Sequence, residues 1–323
     1  MIHQSAIDAA GRQAAQIQGL FWFFIVLLGG IFLIVVALML GPLFCRHRGL
    51  DREPLEQTHT PSIETERKLT HRVGWATGLT VLILLGLVVL SVSTGRSISG
   101  GNPPANALTV EIVGNQWWWY IRYLNEDASR VLVTANEMHI PIGRPIVIRG
   151  SSHDVIHSFW IPNLHGKRDL IPSHTTTEWF QADHEGRYRG QCAEFCGLQH
   201  AHMALWVVAE TPAQFDSWMD LQLRPAPAPS DAVKQKGQRI FLDHACVLCH
   251  AIRGTTAAAE QAPDLTHLAS RSTIGAGTLP NTRRNLADWI ADPQNSKPGN
   301  HMATVALSRE DMPPLLTYLE SLK

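Results

Sequence analysis

The sequence is poor in charge and in cysteine. Charged residues occupy 17% of the 323 positions, and the formal net charge is −1. Such a chain lacks the basic excess of nucleic-acid-binding proteins, so we predict no nucleic-acid partner. Only five cysteines occur. Four lie in two tight motifs that begin at Cys192 and Cys246, and we predict that the fifth, Cys45, is a small buried hydrophobic residue.

Two long stretches lack charge altogether. Residues 19–44 and 73–95 contain no acidic or basic residue, and each exceeds the roughly 18 apolar residues that a transmembrane helix needs. A buried core helix is the alternative, but such helices rarely run this long without charge. Residues 1–18 carry one basic residue and lack the pattern of a cleaved signal peptide. We therefore predict an integral membrane protein with two spans in residues 1–99.

Basic residues concentrate between the two predicted spans. Six lie in that segment and two flank the spans on the outside: Arg46, Arg48, Arg52, Arg67, Lys68 and Arg72, against Arg12 and Arg96. Because basic residues favour the cytoplasmic side, we expect the segment between the spans to be inside. Both termini and everything after Gly95 are then periplasmic or extracellular.

The sequence changes character after a spacer rich in Gly, Asn and Pro. Between residues 105 and 220 apolar residues alternate with polar ones in short runs at 108–113, 130–133, 145–149, 175–181 and 204–209. Alternation with period two is typical of half-buried strands. Short strands separated by turn residues favour a β-sandwich.

The densest group of metal-ligand residues lies at 191–203. Cys192 and Cys196 are four residues apart, His200 follows four later and Met203 three after that. Thiolates, imidazole and thioether suit copper better than magnesium or calcium. Structural zinc is one alternative, although it rarely uses methionine. A disulfide is another, but it would close a very small loop and leave the histidine and methionine unexplained.

A further histidine lies upstream on a predicted strand at 154–160. His157 could complete a copper site, because a cupredoxin copper takes two histidines, one cysteine and a weak methionine. Two cysteines make a second metal plausible. The thiolates would bridge two coppers, with His157 and His200 capping one each. Met203 and the backbone carbonyl of Glu194 would be the weak outer ligands.

This ligand pattern resembles the binuclear copper A centre of cytochrome c oxidase subunit II. The residues that carry the likeness are Cys192-x3-Cys196-x3-His200-x2-Met203 and His157 within Asp-Val-Ile-His-Ser, and the aromatic segment at 116–120 resembles the same family. The resemblance covers roughly residues 19–220 and implies a cupredoxin domain. It also implies electron entry through Trp117, and a magnesium or manganese ion that Glu194 shares with the catalytic subunit.

A second domain follows residues 221–230, which are rich in proline. Such a stretch favours an extended, semi-stiff linker that spaces two domains apart. Beyond it, Cys246-Val-Leu-Cys249-His250 is the c-type haem attachment signature. The two thiols would bind the haem covalently and His250 would be an axial iron ligand. A thioredoxin-like pair is the alternative, but no βαβ pattern surrounds the motif.

Residues 231–323 as a whole resemble a class I cytochrome c. Gly237 and Phe241 lie on a predicted helix before the motif, and an amphipathic helix ends the chain. A methionine as sixth ligand would raise the potential of a carrier haem. Met302 and Met312 are the candidates. The family's pattern of Pro-Gly followed by methionine favours Met302, and the adjacent His301 could compete for the iron.

The predicted architecture is therefore a multidomain chain: a two-helix transmembrane hairpin, a β-sandwich cupredoxin domain and an all-α cytochrome c domain. The resemblance implies an electron-entry subunit of a haem–copper oxidase in a bacterial plasma membrane. It implies two coppers, one covalent haem, a catalytic subunit I with other oxidase subunits, and a cytochrome c or another electron donor. Two alternatives are a nitrous oxide reductase-like protein and a membrane-anchored copper chaperone or redox carrier outside an oxidase.

Overall fold

The computed structural model describes most of the chain, namely residues 4–45, 62–99 and 104–323. Most of the predicted spacer and three basic residues between the apolar runs (Arg46, Arg48 and Arg52) therefore lie outside the described residues, as does the side chain of Cys45. The chain divides into two compact units. Gln16–Gly101 form the first, and Met1–Ala15 with Asn102–Lys323 form the second.

Two long helices account for the first unit. Helix α1 spans Arg12–Cys45 and helix α2 spans Ile63–Ser99. Their large apolar side chains are mostly exposed: Phe32 is 65% and Leu82 67% accessible. By length and composition both helices can cross a membrane, since about 20 helical residues span the 30 Å hydrocarbon core. The two predicted apolar helices are confirmed, and each extends beyond the uncharged run within it.

The second unit contains a sandwich of two five-stranded sheets. In the order of the strands across each sheet, the first is β3-β2-β1-β5-β8 and the second is β4-β10-β9-β6-β7. The strands are β1 Leu108–Asn115, β2 Trp118–Tyr123, β3 Leu132–Ala135, β4 Glu137–Pro141, β5 Ile146–Ser152, β6 His157–Trp160, β7 Arg168–Leu170, β8 Thr176–Phe180, β9 Gly186–Cys192 and β10 Ala204–Glu210. Helix α3, Pro212–Gln222, follows the last strand.

Alternation along the strands places the core between the two sheets. In β1 every second residue is buried, and Val110 and Ile112 are fully inaccessible. They meet Met138 and Leu205 of the opposite sheet in one apolar cluster. Strands β9 and β10 pair antiparallel with Gln191 opposite Ala204. This register brings the two ends of the 191–203 segment together at one edge of the sandwich.

The C-terminal domain is built on the contact between two helices, α4 (Ala232–Asp243) and α7 (Met312–Leu319). A β-carbon at Gly237 would lie 2.1 Å from the carbonyl oxygen of Pro314, so only glycine allows the two backbones to approach this closely. Two further α-helices of this domain are α5 (Arg283–Ala291) and α6 (Pro293–Ser296).

The C-terminal domain is helical, as predicted. Its described residues also contain a short ribbon, in which Thr273–Ile274 (β11) pairs antiparallel with Leu279–Pro280 (β12). The proline-rich segment does not space the domains apart. Its Ala226 N–H donates to the carbonyl of Arg253 at 2.9 Å, so the segment packs on the C-terminal domain, and that domain contacts the sandwich directly.

Candidate metal centre

The cysteine-rich segment is a loop between β9 and β10. Cys192 is the last residue of β9, and its N–H donates to the carbonyl of Met203 at 2.9 Å. Gly197 has a φ of +109°, a backbone conformation that other residues rarely adopt, and its carbonyl accepts the His200 N–H at 3.1 Å. This turn folds the loop back so that its sulfur and nitrogen donors converge.

The two cysteines face each other without a bond. Their Sγ atoms lie 3.7 Å apart and both thiols are free, whereas a disulfide holds its sulfurs at about 2.05 Å. Both side chains are buried, at 3% and 2% exposure. Two unbonded thiols at this separation suit metal bridging, and the disulfide alternative does not describe this structure.

One imidazole flanks each thiol. His157 Nδ1 lies 3.8 Å from Cys192 Sγ, and His200 Nδ1 lies 3.6 Å from Cys196 Sγ. Met203 Sδ lies 3.9 Å from Cys196 Sγ. The donor atoms of His157, Cys192 and Cys196 all fall within 4.8 Å of one another. The structure thus brings together all five side chains that the sequence singled out as copper ligands.

The donor set fits copper. Two thiols, two imidazoles and a thioether are soft or borderline ligands, and the Glu194 carbonyl lies 3.1 Å from Cys192 Sγ. His157 has no exposed surface, and a β-carbon at Gly114 would lie 2.6 Å from its Cδ2 atom. The backbone of β1 therefore confines the ring of His157. A metal ligand needs such a fixed ring position.

Sequence analysis missed the group that orients this histidine. Asp154 Oδ1 lies 2.8 Å from His157 Nε2, and Asp154 also accepts the Gln116 N–H at 2.6 Å. A carboxylate on the distal nitrogen fixes the ring of a metal-binding histidine and leaves the other nitrogen free. The signal was present in the Asp-Val-Ile-His segment. The expected strand begins only at His157, so Asp154 belongs to the turn before it.

The two thiols perturb each other. Their sulfur contact is the main cause that lowers the pKa of Cys192, with help from His157 and nearby backbone groups, and it also raises the pKa of Cys196. One thiolate therefore forms readily and the second only at a cost. A cation between them would stabilise both, because a metal binds cysteine as the thiolate.

Glu194 lies apart from these donors. Its carboxylate is 43% exposed and 3.4 Å from the ammonium of Lys167, which is also 3.5 Å from Asp169. Within the described part of the chain, the carboxylate thus has a lysine as its near partner.

Trp117 lies in the turn between β1 and β2 and is 6% exposed. Its indole Nε1–H donates to the Cys196 carbonyl at 2.9 Å, and the Gln116 side chain donates to the same oxygen at 2.8 Å. Trp117 is therefore tied directly to the backbone of one cysteine.

The Cys-x-x-Cys-His motif lies just after α4. Cys246 is in a 3-10 turn, Ala245–Leu248, and Cys249 is exposed. The ring of His250 contacts the Pro263 carbonyl, with Nδ1 at 2.7 Å. A carbonyl accepts only from a protonated nitrogen, so Nε2 carries the lone pair that an iron would take. The exposed thiol and the oriented histidine fit a covalently attached haem.

The two candidate methionines differ in their surroundings. Met312 is the first residue of α7 and packs against the core of the C-terminal domain. Met302 lies in the coil after α6 and is not part of that core cluster; its N–H donates to Asn300 Oδ1 at 2.8 Å. Met302 therefore lies outside the core cluster of the C-terminal domain and stays the predicted ligand.

Comparison with known proteins agrees with this geometry. The profile of "Cytochrome C oxidase subunit II, periplasmic domain" matches residues 120–210, and the profile of "Cytochrome c" matches residues 234–323. The cytochrome c oxidase subunit 2 of Alkalihalophilus pseudofirmus is 32% identical over 99% of this chain and 91% of its own length. The chain belongs to the cytochrome c oxidase subunit 2 family. The subunit 2 of Bacillus subtilis is 29% identical over 83% of this chain and 78% of its own length.

One solved structure is similar to part of this chain. The periplasmic domain of subunit II of cytochrome oxidase from Bradyrhizobium japonicum is 28% identical, with a TM-score of 0.34 over 38% of this chain and 95% of that one. The family membership makes this chain a membrane-anchored subunit of a haem–copper oxidase complex. It places a copper A site in the sandwich domain and a haem in the C-terminal domain.

Proposed function

We propose that this chain admits electrons to the oxidase from a c-type cytochrome through its own haem, and delivers them through two coppers to the catalytic subunit I. The observation that carries the proposal is the pair of buried, unbonded thiols 3.7 Å apart, each flanked by an imidazole. When bound, the haem and the copper pair would each accept and release one electron, which the polypeptide alone cannot do.

The polypeptide supplies position and a dry environment. Cys192 and Cys196 would bridge the metals as thiolates, and His157 and His200 would bind one metal each. Met203 and the Glu194 carbonyl would be the weak outer ligands. The cysteines, His157 and Met203 are all nearly inaccessible to solvent, so water and its reorganisation are kept from the site. Because the donors sit on paired strands and a short hydrogen-bonded loop, the site would change shape little when its charge changes.

In the C-terminal domain, Cys246 and Cys249 would hold the haem covalently, while His250 and Met302 would bind its iron. The Pro263 carbonyl holds the His250 ring in place. Trp117 would form the electron entry to the copper site, which is consistent with its hydrogen bond to Cys196. Glu194 would contribute to a magnesium or manganese ion at the contact with subunit I.

The membrane arrangement follows from the charges. Basic residues favour the cytoplasmic side, and they concentrate at residues 46–72, between the two uncharged runs. Both domains would then lie on the periplasmic side of a bacterial plasma membrane. A copper chaperone is the competing function, but it needs an exchangeable single copper and no haem. The buried thiol pair with a capping histidine on each side favours the oxidase function.

The test is a replacement of Cys196 by Ser in the assembled oxidase. A hydroxyl keeps its proton and is a harder donor, so it bridges copper poorly. We expect a reduced c-type cytochrome to reduce the haem as fast as in the wild type, while onward electron transfer to oxygen falls steeply. Ala193→Ser, which adds a hydroxyl to the same loop and keeps both sulfurs, is the matched control. Equal oxygen consumption by the two variants would exclude this route.

A further inference from the structure

Lys297 is a buried lysine at the contact between the two domains. It is 2% exposed. Its ammonium donates to the carbonyls of Trp117 at 3.0 Å and His202 at 3.0 Å in the sandwich domain, and to that of Gly275 at 3.1 Å in its own domain. An ammonium has three N–H donors, so all three are used, two of them across the domain boundary.

This arrangement is costly. Burial lowers the pKa of Lys297 to about 8, and within the described residues its partners are neutral carbonyls and no carboxylate pairs with it. An apolar side chain would avoid the cost of burying a charge, so such a group is weak evidence of a role in stability alone. Donation to three carbonyls from two domains instead fixes one relative position of those domains.

The loop that Lys297 begins leads to the candidate haem ligand. The carbonyl of Pro298 accepts the Gln199 side-chain N–H at 2.6 Å. Gly299, with a φ of +81°, lies so close to Leu198 that a β-carbon would be 2.7 Å from the leucine Cδ1 atom. Gln199 and Leu198 both belong to the loop between β9 and β10. Pro298 and Gly299, two consecutive residues of the other loop, therefore contact it.

The same loop ends against Trp117. The ring of His301, the residue before Met302, has its centroid 5.4 Å from that of the Trp117 indole, with the planes tilted by 48°. The indole in turn donates to the Cys196 carbonyl. A short series of contacts therefore joins Met302, the predicted iron ligand, to Cys196, a predicted bridging thiolate. The Lys297 ammonium binds the backbone carbonyl of Trp117 within this series.

Contacts away from the loop hold the same orientation. The Ala204 N–H donates to the Ala276 carbonyl at 3.0 Å, which joins β10 to the C-terminal domain. Ser272 Oγ donates to the buried carboxylate of Glu137 at 2.5 Å. The haem domain is thus seated on the sandwich by backbone as well as side-chain bonds.

We propose that Lys297 is a positioning residue, which holds the 297–302 loop against Trp117 so that electrons cross from the haem to the copper site at one fixed contact rather than after diffusion on a tether. This inference rests on the proposed function. Electron tunnelling slows steeply with distance, so a small separation of this contact would lower the transfer rate while the metal sites themselves stay intact.

The test uses Lys297→Met in the full-length chain within the oxidase. The Thr278 hydroxyl has one proton to donate, and it lies 2.7 Å from the Gly275 carbonyl and 3.4 Å from the His202 carbonyl. The Trp117 carbonyl loses its ammonium partner. After flash photoreduction of the haem, we expect transfer to copper to slow by about tenfold or more, because small misplacements have large rate effects. The haem potential and the copper spectrum should not change. Lys236→Met, on the exposed face of α4, is the matched control and should behave as wild type.

Two measurements separate positioning from misfolding. Amide exchange at Ala204, which needs no cofactor, should rise in Lys297→Met. Pulsed electron paramagnetic resonance between oxidised haem and copper should show a broader distance distribution. Lys297→Gln keeps two N–H donors and should give an intermediate transfer rate, and it serves as the second variant if Lys297→Met does not fold.

The possible failures are distinguishable. If both Lys297 variants transfer electrons at the rate of Lys236→Met, with haem and copper present and the distance distribution unchanged, the positioning role is wrong and the proposed function stands. If the wild-type chain lacks either the haem or the copper pair, the proposed function itself fails and this inference with it.

Discussion

The indole nitrogen of Trp117 donates a 2.9 Å hydrogen bond to the backbone carbonyl of Cys196. This bond crosses from the turn after β1 to the loop after β9, two segments about eighty residues apart in the chain. It ties Trp117, which lies at the contact between the two domains, to the cysteine loop.

Replacing Gly114 by Ala should disturb the copper site without touching a ligand. The new methyl group would meet the ring of His157 at 2.6 Å. Overpacking of this kind typically costs about 1–3 kcal/mol. The three nearest atoms all belong to the His157 side chain, so that side chain must move. We expect weaker copper retention on dialysis and an altered copper spectrum. Thr109→Ala, on the same strand, is the control and should leave both unchanged.

Replacing Cys249 by Ser should remove one of the two thioether bonds to the haem. The haem would then be lost, or held by Cys246 alone, while the copper content stays at the wild-type level because Cys192 and Cys196 are in a different domain. A haem stain of a denaturing gel measures covalent attachment. Cys196→Ser is the reciprocal control and should keep its stained band. Wild-type haem that washes out under denaturation would refute the assignment.

The choice between the two methionines can be tested by replacing each with Leu. Met302→Leu should abolish the methionine-to-iron absorption band and lower the haem potential, since methionine ligation raises it. Met312→Leu should retain the band, because Met312 packs in the domain core and volume-conserving swaps there usually cost less than about 1.5 kcal/mol. The opposite pattern would assign the sixth ligand to Met312.

Stability should depend on pH through a buried imidazole. His139 stacks on Trp218 and faces Glu137 and Glu210, with Arg187 near Glu137. Burial alone would lower the pKa of His139, but the two carboxylates outweigh it and raise the pKa. A raised folded-state pKa means that the stabilisation is complete below the unfolded value of 6.5 and is lost as the pH rises through the folded value.

The carboxyl partner sets the lower limit of this window. Hydrogen bonds from His139 and Ser272 lower the pKa of Glu137 despite its burial, so its contribution is present above the unfolded value of 4.5 and lost as the pH falls through the folded one. The difference in thermal midpoint between wild type and His139→Gln should therefore be largest between pH 4.5 and pH 6.5, the two unfolded values, and should shrink above neutral pH. A difference that grows with rising pH would contradict this.

Local patterns were enough for much of the fold. The uncharged runs lie within α1 and α2, and the alternating runs overlap β1, β3, β5, β8 and β10, although the run at 130–133 shares only two residues with β3. The signal is reliable there because burial on one side of a strand, or contact with lipid all round a helix, acts on every residue of the element. The metal-ligand residues were also visible in sequence, because four of them fall within one twelve-residue loop.

The relation between the domains could not be read from the sequence. The proline-rich segment has the composition of an extended spacer, yet it packs on Arg253. Nothing in Lys297-Pro-Gly-Asn distinguishes a buried lysine from an exposed loop residue, since its three acceptors are backbone carbonyls from distant positions. Asp154 likewise gains its role only when the turn before β6 brings it onto the ring of His157.

The most direct test of the account is electron paramagnetic resonance of the oxidised wild-type subunit within its complex, together with a metal count for this chain. Two thiols 3.7 Å apart with one imidazole on each predict two coppers and one haem iron per chain. The unpaired electron should be shared over two equivalent copper nuclei. One copper per chain, with the spectrum of an isolated ion, would contradict the electron-entry account and favour the copper-carrier alternative.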